Sequence, residues 1–191
     1  MNRLRTLAAI AGMACLLAAE PAAAEEETLI APGVGFVIPP PSAFSGSIDV
    51  LQLVTARHEH DEFTFEGRLS IQPDRFLLVS MDGTGRRMMT IQWGGGSITA
   101  ERAPEIPPDL KPENVVADIT LLFWPEAAVR KGLAVSGATL TVAPGRRTVS
   151  FNGRDIVQIR YDGSDPWSGV SHLRNDVWQY DLEIHSQRLA P

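Results

Sequence analysis

The clearest signal for the fold lies in residues 63–71, FTFEGRLSI, where apolar and polar side chains alternate. Successive side chains of an extended chain point to opposite faces, so the apolar residues of this stretch share one side and the polar residues share the other. The stretch therefore predicts a β-strand with one buried face and one face in water.

Similar strand-length segments flank this stretch on both sides. Short turns rich in Gly, Pro, Asn and Asp separate them, and Asn152-Gly153 is a strong hairpin signal. Short turns between successive strands indicate antiparallel pairing. We predict a mainly β fold, in which a single curled antiparallel sheet of about 9–11 strands forms an incomplete β-barrel. The other predicted strands are 48–55, 76–81, 87–93, 97–102, 139–143, 147–151, 154–161 and 177–185.

A central segment breaks the strand pattern. Val115, Ile119 and Leu122 recur at helical spacing, and Pro125 separates this helix, over 113–123, from a second short one. The first helix is apolar on nearly all sides, and beyond Glu113 at its start only Asp118 adds a charge within it. We expect it to need a second apolar partner besides the sheet, either a lipid tail or the N-terminal arm.

The first 24 residues have the layout of a secretory signal peptide. A basic start at Arg3 and Arg5 precedes the apolar run 7–19, and the small residues 22–24 precede Glu25. This predicts a periplasmic protein cleaved near Ala24-Glu25. The alternative is an outer-membrane lipoprotein anchored through Cys15, although the residues before Cys15 fit a lipoprotein signal poorly.

The remainder divides into two predicted regions. Residues 25–46 are rich in Glu, Pro and Gly and are expected to form an extended arm that pairs poorly in a sheet. Residues 47–187 form the predicted half-barrel domain. Without the first 24 residues the chain has no cysteine and therefore no disulfide.

Charge restricts the classes of partner. The net charge is −6, and it becomes −7 without the first 24 residues. An acidic domain is a poor match for nucleic acid phosphates and for simple adhesion to anionic lipid. We expect a monomer that binds no nucleic acid.

Signals for catalysis are weak. His58 and His60 would share one face of a strand and suit a transition metal, but a third ligand would have to come from His172, His185 or elsewhere. The Gly-rich turns at 82–85 and 94–96 precede no helix, which disfavours a phosphate cradle. No serine lies in a Gly-x-Ser-x-Gly elbow. We therefore expect a protein that is not an enzyme and uses no cofactor or metal.

Two further segments carry a resemblance to a known family. They are VVADITLLFWPEAAVRKGL at 115–133 and NDVWQYDLEI at 175–184. With the strand order around them, they make residues 48–186 similar to a family of exported proteins and lipoproteins found beside aryl-polyene biosynthesis enzymes in Gram-negative bacteria. That family is similar in architecture to the lipoprotein carriers LolA and LolB. The resemblance implies an incomplete barrel whose helices lie against an apolar concave face that receives acyl chains.

Alternating apolar residues of the strands and helices would line such a cavity, unless they form an ordinary packed core. Met88 and Met89 would give the cavity a deformable wall. Trp167 lies in a predicted loop, where it would either be exposed and touch a membrane surface or partner, or belong to a loop lid over the barrel mouth. The predicted lining residues are Phe63, Phe65, Leu69, Leu77, Val79, Met89, Ile91, Trp93, Ile119, Leu122, Phe123, Trp178, Tyr180 and Leu182.

The favoured function is that of a periplasmic carrier that binds a lipid or acyl chain. It would deliver a lipid (an aryl polyene is one candidate) or a lipoprotein to the outer membrane, with an outer-membrane or lipoprotein partner. A non-catalytic scaffold of a biosynthetic or export assembly is the alternative. A metal-assisted hydrolase built on His58 and His60 is a third reading.

Overall fold

The computed structural model describes residues 27–108 and 110–190. The predicted signal peptide, its cleavage site and Cys15 lie outside these residues. The helices are α1 (Pro112–Phe123) and α2 (Glu126–Leu133). The strands are β1 (Glu27–Ala31), β2 (Val34–Val37), β3 (Ile48–His58), β4 (Asp61–Gln72), β5 (Arg75–Met81), β6 (Arg87–Gly94), β7 (Ser97–Arg102), β8 (Thr139–Ala143), β9 (Arg146–Phe151), β10 (Arg154–Asp162), β11 (Gly169–Asn175) and β12 (Tyr180–Arg188).

Ten of the strands form one antiparallel sheet in the order β7-β6-β5-β4-β3-β12-β11-β10-β9-β8. It consists of two meanders, β3 to β7 and β8 to β12, and the pairing of β3 with β12 joins them. The edge strands β7 and β8 do not pair, so the sheet stays open. The prediction of one large antiparallel sheet with a helical insert is confirmed.

Directly paired residues carry one apolar row across the sheet. Val50, Leu69, Leu78 and Ile91 lie side by side on β3, β4, β5 and β6, and at most 6% of each is exposed. We call the face that carries this row the inner face, and the opposite one the outer face. The inner-face side chains form one core cluster with residues of α1, α2 and the β1–β2 segment.

The prediction of an extended N-terminal arm is wrong. Residues of this region form the β1–β2 hairpin, in which Gly33 supplies the left-handed turn conformation (φ 74°). Phe36 is fully buried, and the hairpin packs against both helices. The hairpin is thus a second apolar partner for the all-round apolar helix α1, and it belongs to the same core as residues 47–187.

The predicted inward face of β5 is also wrong. Leu77 and Val79 are only half-buried, whereas Phe76 is fully buried and Leu78 is 6% exposed. The pairing explains this, because Phe76 lies opposite Ile71 and Leu78 lies opposite Leu69 on the inner face. Leu77 and Val79 therefore belong to the outer face.

Trp167 is buried rather than exposed. Only 6% of it is accessible, and its ring stacks on Phe123 at a centroid distance of 4.0 Å. The carboxylate of Asp165 accepts a hydrogen bond from the Trp167 backbone N–H at 3.1 Å, which holds the loop in place. The loop before β11 therefore closes one end of the core and offers no exposed aromatic ring. No helix within 27–108 and 110–190 has the length and apolar character needed to cross a membrane.

Candidate functional site

Half of the predicted lining residues fill the core. Seven of them are at most 8% exposed and belong to the single core cluster. Such close packing leaves the middle of the inner face occupied by protein side chains. The seven are Leu69, Met89, Ile91, Trp93, Ile119, Leu122 and Phe123.

The other predicted residues lie elsewhere. Leu77 and Val79 are on the outer face, as described above. Trp178 is half-buried in the turn before β12, because that strand begins only at Tyr180. Phe63, Phe65, Tyr180 and Leu182 remain together at one end of the inner face, and they are the part of the predicted site that the structure leaves accessible.

Exposure rises steadily along β4 toward this end. Leu69 is fully buried, Phe65 is half-buried and Phe63 is 60% exposed, although all three point to the inner face. The pairing gives the cause: β5 pairs with β4 only from Glu66 onward, so Phe63 and Phe65 extend beyond its last residue. Without that neighbouring strand, one flank of each ring stays open.

The strands on the other side complete an apolar surface. Ala56 of β3 lies opposite Phe63, and Leu182 of β12 lies opposite Ala56. Phe65 and Leu182 are half-buried and pack against the core. We call these four residues together with Tyr180 the open end.

A carboxyl group from α1 joins the open end. The Tyr180 hydroxyl donates to the Asp118 carboxylate, at 2.8 Å from Oδ1 and 2.9 Å from Oδ2. Burial raises the pKa of Asp118 to about 7, and the hydrogen bond from Tyr180 only partly opposes this. Burial also raises the pKa of Tyr180 well above its ordinary value, and the Asp118 charge adds to the rise.

Asn175 fixes the chain beside this pair. Its amide nitrogen donates to the Ile30 carbonyl at 2.9 Å, and its amide oxygen accepts from the backbone N–H groups of Val177 and Trp178. Asn175 is 1% exposed. It therefore shapes the turn into Tyr180 and ties that turn to β1, a role that the sequence analysis missed.

Asp118 was visible in the sequence only as the one charge beyond the first turn of an apolar helix. A lone charge in such a helix is a usable signal, because a buried carboxyl group needs a hydrogen-bond donor. Its donor lies 62 positions away in the sequence, so the pairing itself could not be predicted.

Replacing Asp118 with asparagine should change how stability depends on pH. The folded protein retains the Asp118 proton up to about pH 7, whereas the ordinary carboxyl pKa is 3.8. Between these values the folded state binds more protons, so this group makes stability fall as pH rises. This fall should be absent in D118N, which has no ionisable group at that position. Urea unfolding measured from about pH 4 to 8 should show it: the free energy of unfolding of the unmodified protein should fall by up to about 4 kcal/mol more than that of D118N, at about 1.36 kcal/mol per pKa unit.

Tyr180→Phe supplies a matched control. It removes the hydrogen bond that lowers the pKa of Asp118, so the fall in stability should extend to higher pH than in the unmodified protein. Identical pH profiles for the unmodified protein and D118N would show that Asp118 is not protonated near neutral pH.

The metal reading finds no support in the described residues. β3 ends at His58 and His60 lies in the turn that follows, so the two do not share a strand face. Over 27–108 and 110–190, no three His, Cys, Asp or Glu side chains are placed to hold a metal ion together. His172 and His185 lie beside Asp162 and Glu183 on the outer face.

Comparisons with known proteins assign the chain to a family but give no activity. A family model described as "Protein of unknown function (DUF3261)" matches residues 49–188, nearly the whole span from β3 to β12. No curated protein matches the chain. The function must therefore be argued from the site itself.

Proposed function

We propose that this chain, which belongs to the DUF3261 family of proteins of unknown function, binds an acyl chain at the open end of its inner face. The observation that carries the proposal is the 60% exposure of Phe63 on the face that forms the core. Exposed aromatic area continuous with a core is unfavourable in water and favours an apolar ligand.

The driving force is the removal of apolar surface from water. Each methylene group that leaves water contributes about 0.8 kcal/mol, and immobilising the chain offsets part of this. An acyl chain laid over Phe63 and along Leu182 would cover the rings that the end of β5 leaves open. Because the middle of the inner face is filled, the ligand would bind at its end.

Binding an acyl chain suits a carrier in the periplasm. The signal-peptide layout of the first 24 residues supports export, and a lipid that crosses an aqueous space needs its chain shielded. The resemblance to LolA and LolB supports delivery of a lipid or lipoprotein to the outer membrane. The resemblance to proteins found beside aryl-polyene enzymes makes an aryl polyene one candidate cargo.

A second candidate is a non-catalytic scaffold of a biosynthetic or export assembly. The filled core favours it, since the β1–β2 hairpin already gives α1 the second apolar partner that a lipid tail would otherwise provide. On this reading, Phe63 would meet a partner protein and the purified chain would bind no acyl ligand.

Phe63→Ser tests the acyl site. Titration with a fluorescent polyunsaturated fatty acid should show binding to the unmodified protein and about tenfold weaker binding to F63S, because burying a phenylalanine side chain contributes about 1.5–3 kcal/mol. Displacement by an unlabelled fatty acid should reverse the signal.

Leu53→Ser is the matched control. Leu53 is 50% exposed, close to the exposure of Phe63, but it lies on the outer face of β3. L53S should bind the fatty acid as the unmodified protein does. Absence of fatty-acid binding to the unmodified protein would favour the scaffold. Equal weakening of fatty-acid binding by F63S and L53S would show that the acyl chain does not bind at the open end.

A further inference from the structure

The outer face carries a row of basic side chains that the acyl site does not use. Arg146 of β9 lies directly opposite Arg160 of β10, which in turn lies opposite His172 of β11. Paired strands are about 4.8 Å apart, so these side chains are immediate neighbours. Like charges in directly opposed positions destabilise a sheet, and the row therefore needs compensation from anions.

The protein supplies only part of that compensation. Asp162 lies 3.3 Å from both the Arg160 Nε and the His172 Nε2. Within the described part of the chain, no carboxylate lies within ion-pair distance of Arg146. Arg160 thus has one carboxylate, which it shares with His172, and Arg146 has none within ion-pair distance.

The neighbouring charges are largely paired among themselves. Glu183, opposite His172, lies 3.0 Å from His185 and 3.7 Å from Arg57. Arg174 pairs with Asp176 at 2.6 Å and lies 3.7 Å from Asp181. Among the charges around this row, the incomplete compensation therefore lies where β9 and β10 pair.

This region borders a depression of about 350 Å³ on the outer face. Arg146, Arg160, His172 and Arg174 line it, with the side chains of Asp181 and Glu183 toward its far side. Guanidinium groups present paired N–H donors that match the oxygens of a phosphate group. The net charge of the whole chain is −6, so an anion would be attracted only where basic side chains are concentrated locally.

We propose that this depression binds a phosphate group between Arg146 and Arg160. The proposal is independent of the acyl site, because the two lie on opposite faces of the sheet. The phosphate would belong either to a soluble phosphate compound or to a lipid head group, and both present the same oxygens to the arginines.

Inorganic phosphate is the direct probe. Added to the full chain, it should raise the thermal unfolding temperature more than chloride at the same ionic strength. Arg146→Gln should weaken the apparent phosphate affinity about tenfold, the loss expected from removing a hydrogen bond to a charged group. Without phosphate, R146Q should be at least as stable as the unmodified protein, because it removes the like-charge contact with Arg160.

Arg68→Gln is the control variant. Arg68 is an exposed outer-face arginine on β4, opposite Leu51 and Val79. R68Q should respond to phosphate as the unmodified protein does. Equal stabilisation by phosphate and chloride, or an unchanged response in R146Q, would overturn the proposal.

Vesicles distinguish the two sources of phosphate. Co-sedimentation with phosphatidylcholine vesicles that contain phosphatidic acid, lost in R146Q and competed by inorganic phosphate, would support a lipid head group. Stabilisation by phosphate without vesicle binding would support a soluble phosphate compound. Failure of both probes would refute the site.

Discussion

Replacing Trp124 with alanine is expected to lower the free energy of unfolding by about 4 kcal/mol, in the range for a buried tryptophan. Trp124 directly follows α1 and is fully buried. Its ring lies 5.2 Å from that of Phe44 and 6.4 Å from that of Phe76. The indole Nε1 donates to the Pro40 carbonyl at 3.3 Å. One side chain therefore joins the helical insert, the N-terminal segment and the sheet.

Two further variants separate the contribution of the Trp124 ring from those of its hydrogen bond and its full burial. Trp124→Phe keeps an aromatic ring but loses the bond to Pro40, and it should cost less than W124A. Trp178→Ala removes a half-buried tryptophan from the turn before β12 and should also cost less than W124A. Urea unfolding followed by circular dichroism provides the measurement. A loss below about 0.5 kcal/mol for W124A, the scale of a surface substitution, would contradict this role.

Gly132→Ala is expected to destabilise the protein by about 2 kcal/mol, although alanine favours a helix more than glycine does. Gly132 lies in α2 where the helix meets the N-terminal hairpin. A Cβ atom there would overlap the backbone carbonyl oxygen of Val37 and would lie 2.7 Å from Cε2 of Phe36. Because one of these contacts is with backbone, the hairpin would have to move away from the helix.

Lys131→Ala is the neighbouring control. Lys131 is exposed in the same helix, so K131A should leave the urea midpoint nearly unchanged while G132A lowers it. Partial separation of the hairpin in G132A should also increase hydrogen exchange at β1 and β2. A G132A protein as stable as the unmodified one would show that the hairpin does not depend on this close approach.

The strand pattern could be predicted where only one face of a strand is apolar. In 63–71 the polar residues identify the outer face, and the structure agrees with the predicted direction of Leu69 and Ile71. In β5 the run FLLVSM is apolar on both faces, so its phase was ambiguous. The cross-strand pairing of Phe76 with Ile71 determines that phase, and sequence alone does not provide it.

Long-range packing accounts for the other differences. Residues 25–46 have the composition of an extended arm, and β1 and β2 bury their apolar residues only because α1 and α2 lie beside them. The close approach of Gly132 to Val37 depends on the same arrangement. Neither contact leaves a periodic signal in the sequence.

The candidate site was likewise predictable only in part from the sequence. The alternation in the sequence predicted that Phe63 and Phe65 share one face of their strand and that Tyr180 and Leu182 share one face of theirs. In the structure both strands pair with β3, and this brings the two pairs to the same end of the inner face. The exposure of Phe63 could not be predicted, because it follows from where β5 ends. The partnership of Asp118 with Tyr180 likewise depends on how α1 lies over β12.

The most direct test of acyl binding at the open end uses Phe63→Trp, which keeps an apolar aromatic side chain there. Leu53→Trp places a comparable ring on the outer face of β3 as the control. A brominated fatty acid quenches only nearby tryptophans. The fluorescence of the introduced tryptophan is that of the variant minus that of the unmodified protein. Titration with the brominated fatty acid should reduce it in F63W and leave it unchanged in L53W. Equal quenching in both variants, or none in F63W, would contradict acyl binding at the open end.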